Sequence, residues 1–305
     1  MKTLDDRTSA NRAFVVPDRI LVATDLADTD YLIPHAVAQA RACGAALTLV
    51  HVIPPGETAA LNTGAISPED AAALTREATR QLESVAARIR EDGIPCEISV
   101  VHGFPREHIP AIAREIRAGR IVIGTHGRRH LKRLFLGSVA VEILRAADVP
   151  VCTIGPHAHE ASSFGAPRRI LHPVSLCAGY EESARMAIEL AEFYRADITL
   201  LHVLSRDVQT QHDSDRIVEW TKSEMQRIIP DEAPLWSHPT VQVEIGDTVE
   251  EVLNVATEMN TDLIVLGVNS DVGFWLIHGD NTVYNIIAGA RSPVLTIRRA
   301  GERTV

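Results

Sequence analysis

Arg120-Ile-Val-Ile-Gly124-Thr-His-Gly127, followed after nine residues by Gly137-Ser138, is the stretch from which the fold is read. The apolar run Arg120 to Ile123 predicts a buried strand, and Ser138 is a natural N-cap for the apolar-periodic segment Val139 to Ala147. A strand, a glycine loop and a helix start can make an anion site from backbone alone. Glycines let amide groups approach phosphate closely, and the helix start adds unsatisfied donors and a positive dipole end. The bland reading is an ordinary turn between a strand and a helix. Three glycines and a hydroxyl in this context favour a phosphate-binding loop.

The same layout occurs twice in the chain. Arg19-Ile-Leu-Val-Ala-Thr-Asp25 matches Arg169-Ile-Leu-His-Pro-Val-Ser175, and Leu47-Thr-Leu-Val-His-Val52 matches Ile198-Thr-Leu-Leu-His-Val203. Val101-His-Gly103 matches Glu244-Ile-Gly246, Ile121-Val-Ile-Gly124 matches Ile264-Val-Leu-Gly267, and Pro150 to Ile154 matches Pro293 to Ile297. Equivalent positions lie about 143 to 151 residues apart, which is the signature of a fused duplication. Each copy alternates short apolar strands with helical patterns, so each predicts a parallel sheet covered on both faces. Ile33, Val37 and Ala40 supply one helical stripe, repeated by Ala184, Ile188 and Ala191. A longer one runs through Leu74, Ala78, Leu82, Val85 and Ile89, opened by Ser67-Pro68-Glu69-Asp70 and closed by Gly93. These stripes read as core.

Bulk composition narrows the function. A chain of 305 residues has room for two domains, and 46% hydrophobic with 23% charged residues is ordinary for a globular protein. A net charge of −10 argues against a nucleic-acid partner, for which a basic face is expected. Residues 1–17 form a polar extension without the apolar core of a signal peptide, and no run is long enough to span a membrane. Cys43, Cys96, Cys152 and Cys177 stand far apart, as free thiols in a reducing compartment would. A cytoplasmic location is therefore expected.

The spacing G-x2-G-x9-G-[ST] resembles the nucleotide-binding motif of the universal stress protein family, in its ATP-binding branch, and the likeness covers roughly residues 18 to 300 as two family-like halves. The resemblance implies an α/β fold of two tandem open parallel-sheet domains. Each would be adenine nucleotide alpha hydrolase-like, with five strands in the order 3-2-1-4-5 and helices on both faces. The domains are then 18–155, of the ATP-binding kind, and 169–300, degenerate, joined by a linker at 156–168. Strands 1 and 4 would lie side by side at the switch point of the sheet, where ligands of open α/β folds sit.

The resemblance assigns Asp25 to the adenosine end of ATP and Val52 to adenine contact through its backbone. Asp25 has the alternative reading of a helix N-cap. Gly124, Gly127, Gly137 and Ser138 are the motif proper. Flanking Ala23, Thr24, Ile123, His126, Arg128 and Val139 complete the expected contact set. Arg128-Arg-His-Leu-Lys-Arg133 places five basic side chains in six positions inside the loop, a local reversal of charge suited to a triphosphate. Mg²⁺ is compatible, held mainly by the phosphates. No carboxylate pair, Ser-His-Asp set or activated cysteine is evident in the motif region, and no metal-ligand pattern is evident.

In the second half Asp25 becomes Ser175, Gly127 becomes Ser270, Gly137 becomes Asp280 and Ser138 becomes Asn281, while Gly124 survives as Gly267. The loop loses its cations and gains Asp271 and Asp280, and it carries the apolar run Phe274-Trp-Leu-Ile277. The expectation is a tandem universal stress protein, a nucleotide-responsive regulatory module that binds one ATP through its first half. The alternatives are a slow ATPase or phosphotransferase on the same fold, and a nucleotide-independent scaffold. The two halves are expected to pair as an internal pseudo-dimer through their last strands, and a homodimer of chains fits the same edge chemistry.

Overall fold

The computed structural model describes residues 15–55, 68–125, 136–155, 158, 165–176, 180–210, 212–230, 238–268 and 281–298. The chain divides into two units between about residues 156 and 166. The first contains β1 (Arg19–Ala23), α1 (Thr29–Cys43), β2 (Ala46–Ile53), α2 (Pro68–Glu91), β3 (Cys96–His102), α3 (Pro105–Glu115), β4 (Arg120–Gly124), α4 (Ser138–Ala146) and β5 (Val151–Ile154). The second repeats the series as β6 (Arg169–Pro173), α5 (Tyr180–Tyr194), β7 (Asp197–Leu204), α6 (Ser214–Gln226), β8 (Pro239–Ile245), α7 (Thr248–Glu258), β9 (Leu263–Val268), α8 (Thr282–Gly289) and β10 (Val294–Arg298). A 3-10 turn, Arg206–Thr210, follows β7.

All the strand pairings within each unit are parallel. In the first unit β1 lies between β2 and β4, β3 flanks β2 and β5 flanks β4, so the order is 3-2-1-4-5. The second unit has the same order, with β6 between β7 and β9, and β8 and β10 outermost. Helices cover both faces of the first sheet. Leu21, Ala23, Val50, Val52, Ile121 and Ile123 pack with Ile109 of α3 and Ile143 of α4 in one cluster. Alternation along the strands sends Ile20, Val22 and Val122 to the opposite face, where α1 contacts β1, β2 and β4. Among the described residues no helix is long and apolar enough to cross a membrane.

Two local features differ from the sequence pattern. On α1 the buried residues are Leu32, His35, Ala36 and Ala40, whereas Ile33 and Val37 are half-buried. Apolar residues occupy both stripes, so periodicity alone leaves the helix phase open by one residue. The first turn of α4 also starts one residue early: Gly137, extended at φ −60° and ψ 145°, takes the cap position and Ser138 is the first helical residue. The α2 stripe behaves as its period requires, with Ala78, Leu82, Val85 and Ile89 buried, and Gly93 at φ 81° turns the chain just after the helix.

Gly124 and Gly267 have a packing role that the motif does not reveal. A Cβ on Gly124 would lie 2.5 Å from Asp28 Oδ2 and 2.9 Å from the Tyr31 hydroxyl. A Cβ on Gly267 would lie 2.6 Å from Ser183 Cβ and 2.7 Å from its Oγ. Both glycines therefore let the first helix of their unit close against the end of the fourth strand, which explains why the glycine persists where the other motif residues are lost. Gly267→Ala should destabilise the protein by about 1–3 kcal/mol through overpacking, measured as a lowered urea midpoint. An unchanged midpoint would show that the contact with Ser183 relaxes freely.

Candidate functional site

β1 and β4 are neighbours, yet the chain leaves β1 for α1 on one face and β4 for α4 on the other. A crevice opens between their carboxyl ends. It holds a cavity of about 240 Å³. One wall is apolar and is the top of the core beneath α3 and α4, made by Val50, Val52, Ile109, Ile123, Ala140 and Ile143, with Pro105 at the start of α3. The other side is polar and carries Thr24, Asp25, Asp28, Thr125 and Ser138.

The structure places nine of the expected contact residues on this one cavity: Ala23, Thr24 and Asp25 after β1, Val52 on β2, Ile123 and Gly124 on β4, and Gly137, Ser138 and Val139 at α4. His126, Gly127 and Arg128, with the rest of the basic loop, lie outside the described residues. So does the Phe274–Ile277 run. The two ends of the loop are nonetheless fixed together. Thr125 is buried and donates its amide to the Ile154 carbonyl at 2.9 Å, and its own carbonyl accepts from the Gly137 amide at 2.9 Å.

The start of α4 presents donors to the cavity. Its first intrahelical bond runs from the Val141 amide to the Gly137 carbonyl at 3.0 Å, and its cap residue, a glycine, has no side chain to offer. The amides of Ser138, Val139 and Ala140 precede the helical ladder and have no partner within the helix. The first turn itself carries no acidic residue to oppose the positive end of the dipole.

Asp25 does not cap α1. The cap position is Asp28, and Asp25 Oδ1 instead accepts from the Ala27 amide at 2.9 Å, closing a tight turn. Thr24 Oγ1 accepts from the Leu26 amide at 2.9 Å, and Leu26 adopts φ 71°. This turn carries Asp25 at the rim while burying Asp28. His51, on β2, donates through Nδ1 to the Thr24 carbonyl at 2.8 Å. His202 does the same to the Val174 carbonyl at 2.7 Å in the second unit. A histidine retained in both units is part of the scaffold that joins the first two strands.

Asp28 is the residue that sequence reasoning missed. It is only 5% exposed and lines the cavity, and its Oδ1 accepts from Thr24 Oγ1 at 2.5 Å. Burial pushes its carboxyl up to about 7, against a partial offset from the Thr24 hydrogen bond and with a further upward push from the Asp25 charge. Burial, then the Asp28 and Asp25 charges, likewise raise the Tyr31 phenol, which stays neutral. An aspartate three residues past another in Asp25-Leu-Ala-Asp28 reads as an exposed helix start. Only its closeness to Gly124 separates it from that reading.

The comparisons with known proteins agree with this architecture. The model of the universal stress protein family matches residues 17–154 and again 167–298. Universal stress protein MJ0577 of Methanocaldococcus jannaschii is 31% identical over 81 residues, which are 27% of this chain and 50% of that protein. Universal stress protein MJ0531 of the same organism is 26% identical over 137 residues, 45% of this chain and 81% of the relative. The chain thus spans only half the length of the first of these relatives. A crystal structure of a universal stress protein from Archaeoglobus fulgidus superposes with a TM-score of 0.70 at 18% identity, covering 92% of this chain and 96% of the other, a likeness of fold.

Raising a buried carboxyl from its ordinary 3.8 to about 7 means that the folded protein holds a proton the unfolded chain has lost between those values. Stability from this group is therefore complete below about pH 4 and is lost as pH rises towards 7. Asp28→Asn should stabilise the protein at pH 8 relative to pH 5, by on the order of 3 kcal/mol at most. Urea unfolding of both proteins at the two pH values checks this, and an equal difference at both would contradict it.

Proposed function

The chain belongs to the universal stress protein family, and we propose that its first unit binds ATP in the crevice between β1 and β4. The observation that carries this reading is one cavity with an apolar wall on one side and the glycine-headed start of α4 on the other. A purine can lie against Val50, Val52, Pro105 and Ile109, with its hydrogen bonds met by strand-end backbone. Asp25, at the rim, suits ribose hydroxyls or an exocyclic amine, since a carboxylate only accepts when ionised. The amides at the start of α4 and the Ser138 hydroxyl suit phosphate. The volume of about 240 Å³ is below the roughly 300–1,000 Å³ of sites that enclose a whole drug-sized ligand. It accommodates base and sugar, with the triphosphate directed at the start of α4 and carrying Mg²⁺ on its own oxygens.

The proposal is one of binding rather than turnover, with nucleotide occupancy acting as the signal of a regulatory module. The groups on the cavity wall supply contact and charge, and positioning alone supports occupancy without an activated nucleophile. The second unit differs in charge at the helix that follows its third strand. Where α3 begins with Phe104-Pro-Arg-Glu-His108, α7 is led by Asp247 and carries Glu250 and Glu251. Asp247 Oδ1 occupies the Val249 and Glu250 amides at 3.0 Å each, and a Cβ on Gly246 would collide with Glu251 Oε1. The donors at the start of α7, the counterpart of α3, are thus taken and carboxylates flank them, whereas the start of α8, the counterpart of α4, has no acidic residue in its first turn.

Calorimetric titration with ATP should accordingly give one nucleotide per chain, and two equivalent sites would contradict the assignment. Gly137→Asp places a carboxylate at the head of α4 and should weaken ATP at least tenfold, about 1.4 kcal/mol, with circular dichroism unchanged. An unaltered titration would make Gly137 an ordinary turn residue.

A further inference from the structure

We infer that nucleotide binding in the first unit is coupled to proton uptake by Asp28, which serves as a charge-matching and positioning group at the floor of the site. The inference rests on the reading of the cavity as an adenine-nucleotide site. It starts from an apparent conflict: the cavity offered to an anionic ligand carries two carboxyl groups, Asp25 and Asp28. Asp25 sits in an open turn at the rim. Asp28 is enclosed by the Thr24 hydroxyl on one oxygen and by Gly124 and Tyr31 near the other. Among the described residues no lysine or arginine pairs with it.

Burial first, and then the Asp25 charge, oppose ionisation of Asp28, while the Thr24 hydroxyl and backbone hydrogen bonds partly offset them. The β1–α1 loop presents Asp25, a like charge. Its own helix presents Tyr31, a neutral phenol, and His35 follows one turn further along α1. β2 presents His51, whose Nδ1 hydrogen is committed to the Thr24 carbonyl, and β4 presents Gly124. His126 lies outside the described residues. The carboxyl already titrates at about 7 before any ligand arrives, so it is partly ionised at neutral pH. A nucleotide adds negative charge and displaces water beside it, and both effects favour the neutral acid. Protonated Asp28 removes one repelling charge and becomes a donor, while the Thr24 bond keeps its oxygen, and hence the β1–α1 turn, in place. By linkage, the group that gains a proton on binding makes binding tighter as pH falls.

ATP titrations of the full chain and of Asp28→Asn between pH 6 and 8.5 test this. The ionisation of ATP itself is common to both proteins and cancels in the comparison. The native protein should lose about tenfold in affinity across this range relative to the variant, and at pH 7.5 it should take up roughly half a proton more on binding, read from titrations in buffers of different ionisation enthalpy. Carboxyl ¹³C titration of the native protein, with and without ATP, should show the Asp28 midpoint rising on binding and does not depend on the variant folding. Identical pH dependence of the two proteins, or a midpoint that falls when ATP is added, would overturn the inference while leaving the nucleotide site standing. Failure of both proteins to bind ATP at every pH would overturn the site and the inference together.

Discussion

Everything at the site depends on one constraint of parallel sheets. β1 and β4 are hydrogen-bonded neighbours, and their chains must depart to opposite faces. The strands' diverging connections leave a crevice at their ends among the described residues, before any ligand is considered. What lines that crevice follows from the short segments that leave it. The turn Thr24 to Asp28 is closed by two side-chain bonds to backbone amides, which set Asp25 at the rim and Asp28 in the interior. The Thr125–Gly137 backbone bond brings the start of α4 to the other side. The missing side chain of Gly124 is what allows α1 to close on β4 without moving these groups apart.

Duplication supplies a comparison within a single molecule. Features present in both units, such as the strand order, the His51 and His202 bonds and the glycine at the end of the fourth strand, belong to the scaffold. Features confined to one unit are candidates for function. Asp28 lies in the first unit only, with Ala178 at the corresponding sequence position. The acid-rich start of α7 belongs to the second unit only. This contrast supports the proposal that the first unit holds the ligand.

Most of the fold was legible because β strands buried on both faces are short continuous apolar runs, as in Ile20 to Val22 and Ile121 to Ile123, and because the pattern recurs. The phase of α1 was not legible, since Leu32 and Ile33, and Ala36 and Val37, are adjacent apolar pairs and the packing decides between them. The cap of α4 shifted from Ser138 to Gly137 because the Gly137 amide is held by Thr125, a contact that no local pattern encodes. The carboxyl side of the site was half legible. Asp25 follows the strand directly, whereas the importance of Asp28 comes from burial against a residue almost a hundred positions away. Gly124 was singled out for approach to phosphate, yet its close neighbours are Asp28 and Tyr31, so a motif position can be occupied for a packing reason that the motif does not state.

Photo-labelling with an azido-adenine analogue of ATP tests the central claim most directly, because it reports where the base sits. Labelled peptides from Ala46–Ile53 and Pro105–Glu115, lost on adding excess ATP, are the predicted result. Labelling of Asp197–Leu204 or Thr248–Glu258 instead, or labelling that excess ATP does not displace, would contradict it.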